Sequence, residues 1–334
     1  MDKITFVLPL KIHANKFGSD LERVSKVLLP SILKNFDIGR IEKFLVIVPE
    51  NELAEVAEKL KVFAAPLTLS VLPEEELLAT APGWKTHLLA FRLLWRFRNI
   101  DTAHNEGKFF RYLKLADGWN NLNGWRRQQL LKLLAARMVS TPYYMTLDSD
   151  LCLTCPADMT TLLPEGKALV ELEPAYEHPE WWMGSAEILD IPFVYQKDEA
   201  VMGVTPELLS TRVAVQLIDH LASVARKRGY LTLFEYLSTN RQWTEYSLYW
   251  LFLAEFYEKN DFYAEENGNY SIHSPHNVWE REQAPDAKEL CKRIDAAFRE
   301  KTALFLVIQS ARIPLAEYLE AINKHMQLNA LQPE

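Results

Sequence analysis

The chain has 334 residues, 49% of them hydrophobic and 25% charged, an ordinary globular balance that suffices for one large domain or two smaller ones. Its net charge of −8 makes nucleic acid an unexpected partner, because no basic excess is present to neutralise phosphates over a wide surface. Three cysteines argue against a disulfide scaffold, and the lack of a signal-peptide pattern or a membrane-length apolar run predicts a cytoplasmic protein, for which peripheral membrane contact stays open.

The first 175 residues alternate between strand-like and helix-like segments. Runs of apolar and β-branched residues predict the strands, and spaced apolar residues behind polar caps predict the helices. The predicted strands are 4–10, 43–49, 67–73, 143–147 and 167–174, and the predicted helices are 19–36, 50–60 and 123–140. Strands this apolar, separated by helices, predict a mostly parallel α/β sheet that is covered on both faces.

The second half of the chain is richer in predicted helix. Helices are expected at 205–229, 244–260, 286–301 and 313–326, with a strand and loop at 269–280 and a buried strand at 302–309. No Gly, Pro or Ser linker separates the halves. We therefore expect a single domain over 1–334, in which 1–175 binds a nucleotide and 176–334 holds the second substrate and the C-terminal helices.

Two aspartates follow the fourth predicted strand. Asp148 and Asp150 point to the same side if the extended geometry persists through Ser149, and they lie at the carboxyl end of a strand, where open α/β sheets bind ligands. Two carboxylates at this spacing suit Mg²⁺ or Mn²⁺, which keep open positions for water and phosphate oxygens. The alternative is a pair of turn or capping aspartates that face solvent.

The residues around these aspartates resemble known transferases. LDSD after a strand resembles the nucleotide-sugar-dependent glycosyltransferases of the GT-A fold. The stretch GWRRQQLLKLLAARMVSTPYYMTLDSD (124–150) is more closely similar to a largely uncharacterised bacterial family regarded as glycosyltransferases, in which a G-W-x-x-Q-Q-x-x-K-L helix precedes the D-S-D strand. The segments 243–250 and 305–310 also resemble that family. The resemblance implies a GT-A-like fold and a Mn²⁺ or Mg²⁺ ion that bridges the aspartates and the diphosphate of the donor.

This interpretation gives roles to the aspartates and to the helix before them. Asp150 would coordinate the metal directly, and Asp148 would contact it through water or bind the ribose hydroxyls. The ion would stabilise the charge that develops on the leaving nucleoside diphosphate. Gln128 and Lys132 share a helix face, so Gln128 is expected to hydrogen-bond the base or sugar and Lys132 to pair with a phosphate. A solvated basic first turn is the alternative.

Three further residues are candidates for the donor and acceptor sites. Lys11, after the first strand, is a donor-site candidate or an exposed loop lysine. Gly203, expected just before a helix, either allows close approach of the donor or makes a turn. An inverting transferase needs a general base for the acceptor hydroxyl. The resemblance implies a carboxylate at the start of a helix, where Glu245 stands behind Thr244; the alternative is a glutamate that merely complements the helix dipole.

Histidines and tryptophans complete the candidate site. The resemblance implies a third metal ligand from a C-terminal histidine, for which His273 is preferred over His276; a structural histidine is the alternative. Trp181 and Trp182, flanked by acids in 177–189, are expected to stack on sugar rings while the acids bind hydroxyls. A loop folded over its own aromatic residues is equally compatible with this segment.

The prediction is a metal-dependent, inverting glycosyltransferase with a nucleotide-sugar donor and a carbohydrate, glycolipid or small-molecule acceptor. A phosphatase of the haloacid dehalogenase type is one alternative, but that class places D-x-D-G-T near the start of its domain, whereas Leu151 and Cys152 replace Gly-Thr here. The other is a non-catalytic nucleotide- or carbohydrate-binding protein on the same fold, which would not need Glu245.

Overall fold

The computed structural model describes residues 3–82 except 13 and 16, residues 119–264 except 241, and residues 271–326. The longer strands are β1 (Ile4–Pro9), β2 (Ile41–Val48), β3 (Leu69–Pro73), β4 (Tyr143–Thr146), β5 (Leu151–Leu153), β6 (Leu172–Pro174), β7 (Ala200–Met202), β8 (Glu207–Ser210), β9 (Ser271–His273) and β10 (Ala303–Val307). The α-helices are α1 (Asp20–Arg23), α2 (Leu29–Asn35), α3 (Leu53–Ala64), α4 (Glu74–Leu78), α5 (Gly124–Leu134), α6 (Met159–Leu162), α7 (Pro179–Leu189), α8 (Thr211–Lys227), α9 (Leu233–Thr239), α10 (Glu245–Phe256), α11 (Ala287–Glu300) and α12 (Leu319–Met326). No described helix is long and apolar enough to cross a membrane.

A five-stranded sheet with the order β8-β4-β1-β2-β3 lies at the centre of the fold. β1 pairs in parallel with β2 and β4, β2 pairs in parallel with β3, and β8 runs antiparallel to β4. All residues of β1 and β4 are buried. Such continuous burial is what apolar strands of a parallel sheet with two covered faces require. The predicted mostly parallel sheet is therefore confirmed, whereas the single domain over 1–334 stays a prediction.

Most predicted elements are confirmed with shifts of a few residues at their ends. These are the strands predicted at 4–10, 43–49, 67–73, 143–147 and 302–309, and the helices predicted at 50–60, 123–140, 244–260 and 286–301. The helix predicted at 19–36 contains a π-helical turn, Val24–Leu28, between α1 and α2. This turn adjoins Pro30, which has no N–H to donate to the preceding turn. The last helix starts later than predicted, at Leu319.

Two segments of the second half differ from the prediction. The helix expected at 205–229 starts only at Thr211, because residues 207–210 form β8 and pair with the edge of β4. The strand expected at 167–174 is two strands: 168–169 pairs with Tyr263–Ala264, and β6 pairs with β7. Both errors arise because pairing with distant strands decides these conformations. Residues 269–270 of the strand and loop expected at 269–280 lie outside the described residues, and strand is formed at 271–273.

A smaller sheet fixes the segment that contains the two aspartates. Its order is β9-β10-β5, with β10 parallel to β9 and antiparallel to β5. β5 starts directly after Asp150, whose carbonyl oxygen accepts a hydrogen bond from the Ile308 N–H at 3.0 Å. The turn between β4 and β5 is therefore attached to the end of β10, far along the chain.

Gly184 marks a close approach of α7 to the segment before α10. A methyl group on Gly184 would lie 1.9 Å from the backbone oxygen of Gln242. We therefore expect Gly184→Ala to lower the free energy of unfolding by about 1–3 kcal/mol in urea unfolding, because the two segments must separate. Gly124→Ala is the control, since a methyl group there meets nothing within 4 Å. Equal stability of the two variants would contradict the close approach.

Candidate active site

A cavity of about 600 Å³ opens where the turn after β4 meets the first turns of α5 and α10. Its lining contains most of the residues singled out in the sequence: Gln128, Lys132, Asp148, Asp150, Trp181, Trp182, Gly203, Glu245 and His273. Lys11 is exposed and is not among the lining residues. His276 is also not among them, and its Nε2 lies 2.7 Å from Glu300 Oε2. The fold thus places the other candidate residues in one cavity, whereas Lys11 and His276 lie outside its lining.

The two aspartates reach the cavity from a turn. β4 ends at Thr146, and Ser149 and Asp150 form a turn before β5, so the condition of extended geometry through Ser149 is not met. Asp150 is held in place because its Oδ2 accepts a hydrogen bond from the Ser310 N–H at 3.0 Å. Burial, and after it the Asp148 carboxylate, raises the pKa of Asp150 to about 6. A group of this kind favours a proton or a cation close to it.

Lys132 forms ion pairs with both Asp148 and Glu245 in the cavity. Its Nζ lies 2.9 Å from Asp148 Oδ1 and 3.0 Å from Glu245 Oε1, and it donates to Thr205 Oγ1 at 2.6 Å. Gln128 Nε2 donates to the same Asp148 oxygen at 3.1 Å. Burial alone would lower the pKa of Lys132, but the Asp148 and Glu245 carboxylates raise it well above its usual value. The ammonium group therefore stays charged and holds two carboxylates in fixed positions.

Glu245 is the first residue of α10, as the sequence predicted. Thr244 caps this helix, because its Oγ1 accepts a hydrogen bond from the Ser247 N–H at 3.0 Å. The Glu245 N–H donates to Gln129 Oε1 at 3.1 Å, which ties the helix start to α5. Glu245 is 2% exposed; burial raises the pKa of its carboxyl group, and Lys132 opposes that rise. The carboxylate faces the cavity with its orientation fixed.

A group of glutamates on a second side of the cavity was missed by the sequence reasoning. Glu173 lines the cavity from β6, and Glu207 lies fully buried on β8 behind Gly203. Burial, and after it the nearby Glu177 and Glu171, raises the pKa of Glu173 to about 7. A signal was present, because VELEP repeats the pattern of the aspartates: acids two residues apart at the end of an apolar run. Gly203 precedes the strand β8 rather than the predicted helix.

Aromatic rings form the rim of the cavity. Trp181 and His178 stack with ring centroids 3.7 Å apart, and Trp125 lies 5.9 Å from Trp181. Trp125 is 45% exposed, whereas Trp182 is buried. Residues 179–189 are the helix α7, so the loop considered for 177–189 is wrong over most of its length. Exposed aromatic faces at the mouth of a polar cavity can pack against the apolar faces of sugar rings.

The lining offers some of the ligands that a divalent cation requires. Asp148 and Asp150 offer carboxylate oxygens to one cavity, and His273 lies in the same lining, where its backbone N–H donates to Glu171 Oε2 at 2.6 Å. Across the described ranges, no three His, Cys, Asp or Glu side chains form a group that could hold a metal ion alone. Lining carboxylates outnumber the lysine: Asp20, Asp148, Asp150, Glu173, Glu177, Glu245 and Glu280 against Lys132. An anionic ligand in this cavity would need a cation beside it, because the carboxylates would otherwise repel it.

The chain was compared with protein-family models, with curated proteins and with solved structures. The model of a family of unknown function (DUF6492) matches residues 1–330, and no curated protein matches the chain. The apo structure of the WbbM bifunctional glycosyltransferase superposes with a TM-score of 0.51 at 8% identity, covering 98% of this chain and 50% of that one, so this chain spans about half its length. The apo form of mouse xyloside xylosyltransferase 1 has a TM-score of 0.41 at 12% identity, covering 89% and 94%. The fold is GT-A-like, with a mainly parallel sheet flanked by helices.

Proposed function

The chain belongs to DUF6492, a family of unknown function, and we propose that it is a metal-dependent, inverting glycosyltransferase that uses a nucleotide-sugar donor. One observation supports the proposal most strongly. In a GT-A-like fold, Asp148 and Asp150 follow the carboxyl end of β4 and line one cavity together with Lys132 and Glu245. Open α/β sheets bind ligands at this edge. The same fold supports the transferase over a phosphatase of the haloacid dehalogenase type.

Asp150 and Asp148 would hold a Mn²⁺ or Mg²⁺ ion, and His273 is the candidate for a third ligand. When bound, such an ion stabilises the negative charge of the leaving diphosphate. The excess of carboxylates over cations in the lining supports this requirement, because a diphosphate would otherwise be repelled. Gln128 donates to Asp148 and keeps its carboxylate oriented, while the Ser310 N–H does the same for Asp150.

Glu245 would act as the general base. The acceptor hydroxyl would give its proton to the Glu245 carboxylate while its oxygen attacks the anomeric carbon of the donor sugar. The bond from that carbon to the diphosphate oxygen breaks, and its electron pair leaves with the nucleoside diphosphate. Burial makes the carboxylate a better proton acceptor, and Lys132 keeps it ionised until the acceptor arrives. Lys132 is thus a positioning residue in this scheme.

The first test is calorimetric titration of UDP, GDP and CMP into the purified chain, with and without Mn²⁺. We expect one nucleotide to bind, at least tenfold more tightly with Mn²⁺, and Asp150→Ala to abolish this metal dependence because it removes a ligand oxygen. Asp198→Ala, which removes an exposed aspartate away from the lining, is the control.

Three outcomes of this titration separate the candidate functions. Metal-dependent binding that Asp150→Ala removes would support the donor site and identify the nucleotide for acceptor screening. Binding that is equally strong without metal would contradict the role of the aspartates. No nucleotide binding, with metal-dependent phosphate release from phosphorylated substrates, would favour the phosphatase.

A further inference from the structure

The absence of a side chain at Gly203 leaves a small space between two glutamates. A methyl group on Gly203 would lie 3.6 Å from Glu173 Oε2 and 3.6 Å from Glu207 Oε1. Gly203 and Glu173 line the main cavity, so this space opens toward it. The Gly203 N–H donates to the Glu171 carbonyl at 2.9 Å, which fixes the backbone beside β6. The space is therefore a small recess of the cavity, bordered by two carboxyl oxygens and by the Glu171 carbonyl oxygen, which would lie 3.4 Å from the methyl group.

The carboxyl group of Glu207 lies beside this recess, with Oε1 3.6 Å from the position of the added methyl group. The side chain is fully buried, and neither carboxyl oxygen has a hydrogen-bond partner within the described part of the chain. Burial, and after it the charges of Glu171 and Glu173, raises the pKa of Glu207 well above its usual value; the backbone amides of Glu171 and Leu208 oppose the rise, although they lie outside hydrogen-bonding geometry. Buried polar groups in proteins are almost always paired. A buried carboxyl group without a partner beside the cavity can therefore take its hydrogen bonds from a bound ligand.

We propose that Glu173 and Glu207 form a subsite that binds a hydroxyl group of a sugar substrate in the recess at Gly203. This inference rests on the proposed glycosyltransferase function and adds a specificity-determining pair to it. A hydroxyl group both donates and accepts, so it would accept from the neutral Glu207 acid and donate to Glu173. It satisfies both groups without introducing charge into a buried position.

The surrounding wall supports a sugar as the ligand. The chain runs from Glu173 through Glu177 into α7, where Trp181 stacks with His178 at the rim of the same cavity. Carboxyl groups that bind hydroxyls and aromatic rings that cover apolar faces are together the features that recognise a pyranose ring. The hydroxyl group can belong to the donor sugar or to the acceptor, and the two sources are separable by experiment.

The decisive variants are Gly203→Ala, which fills the recess, and Glu173→Gln, which removes the charge of its cavity-facing carboxylate. The alanine fits at ordinary contact distances and needs no unusual backbone angle. Gly124→Ala and Glu187→Gln, the latter exposed on α7, are the matched controls. Calorimetry would compare UDP and GDP with UDP-glucose, UDP-N-acetylglucosamine and GDP-mannose. A panel of methyl glycosides, followed by tryptophan fluorescence, would test the acceptor.

We expect both variants to bind nucleoside diphosphates like the wild type but to bind one sugar-bearing ligand at least tenfold more weakly. A loss confined to nucleotide-sugars assigns the recess to the donor, and a loss confined to methyl glycosides assigns it to the acceptor. Unchanged sugar binding, or an equal loss of nucleotide binding, would overturn the subsite. Mn²⁺ binding that Glu173→Gln abolishes and Asp150→Ala retains would also overturn it in favour of a cation. If no nucleotide binds the wild type, the proposed function is contradicted. The subsite is then tested by the binding of methyl glycosides to the wild type and to the two variants.

Discussion

Replacing Lys132 with methionine is expected to lower the free energy of unfolding by about 3–5 kcal/mol, because it leaves Asp148 and Glu245 without their shared cation. Lys132 and Glu245 are each about 97% buried, so water cannot replace the lost partner at Glu245. The same change is expected to weaken metal-dependent nucleotide binding at least tenfold, since Asp148 loses its ion pair and keeps only the hydrogen bond from Gln128. Urea unfolding and calorimetry measure the two losses.

A matched control exists in the exposed pair of Lys3 and Glu42, in which Lys3 Nζ lies 2.8 Å from Glu42 Oε2 and the two side chains are 48% and 40% exposed. Lys3→Met should cost less than about 1 kcal/mol, because exposed ion pairs contribute little. The double variant Lys132→Met/Glu245→Gln should recover part of the loss, since it also removes the deeply buried charge. A loss for Lys132→Met as small as that for Lys3→Met would contradict the buried network.

The second large effect is expected in the opposite direction: Glu207→Gln should make the protein more stable than the wild type at neutral pH. The folded chain raises the pKa of Glu207 above the ordinary value of 4.5, so the folded state binds a proton that the unfolded state has lost. Wild-type stability from this group is therefore present at acidic pH and declines as the pH rises from 4.5 toward the folded pKa. Glutamine has no proton to lose.

The difference between Glu207→Gln and wild type should grow between pH 5 and pH 7, with a slope of at most about 1.4 kcal/mol for each pH unit. Urea unfolding at these two pH values measures it, with Glu187→Gln as an exposed control that should show no trend. Asp150 and the other titrating groups that do not interact with Glu207 are present in both proteins and cancel. A difference that does not change with pH would mean that Glu207 is ionised in the folded chain.

The sequence was informative where local features decide the structure. The apolar runs predicted β1 to β4, and the Thr-Glu pair at 244–245 predicted the start of α10, since a capped helix start depends on a few neighbouring residues. The aspartates were found because they follow a strand directly. Lys132 was placed on the correct face, but its partner Glu245 is 113 residues away and no local pattern reveals such a pair.

The remaining part of the site depends on distant pairing. Residues 207–210 have the composition of a helix start, but they form β8 because they pair with the edge of β4. This pairing places Glu207 beside the recess. His273 and His276 could not be separated from sequence, because only the positions of β9 and α11 direct one to the cavity and the other to Glu300. Tertiary context of this kind overrides local propensity.

The attachment of the aspartate turn to the end of β10 has a consequence for the order of folding. Ile308 and Ser310 hold Asp150, and they leave the ribosome about 160 residues after it. The central sheet is also incomplete until β8 has been synthesised. A nascent chain that ends before residue 207 therefore leaves an edge of β4 open to other strands. Contacts of such long sequence separation form slowly. Chaperone protection of this open edge during synthesis is therefore expected to raise the yield of folded protein.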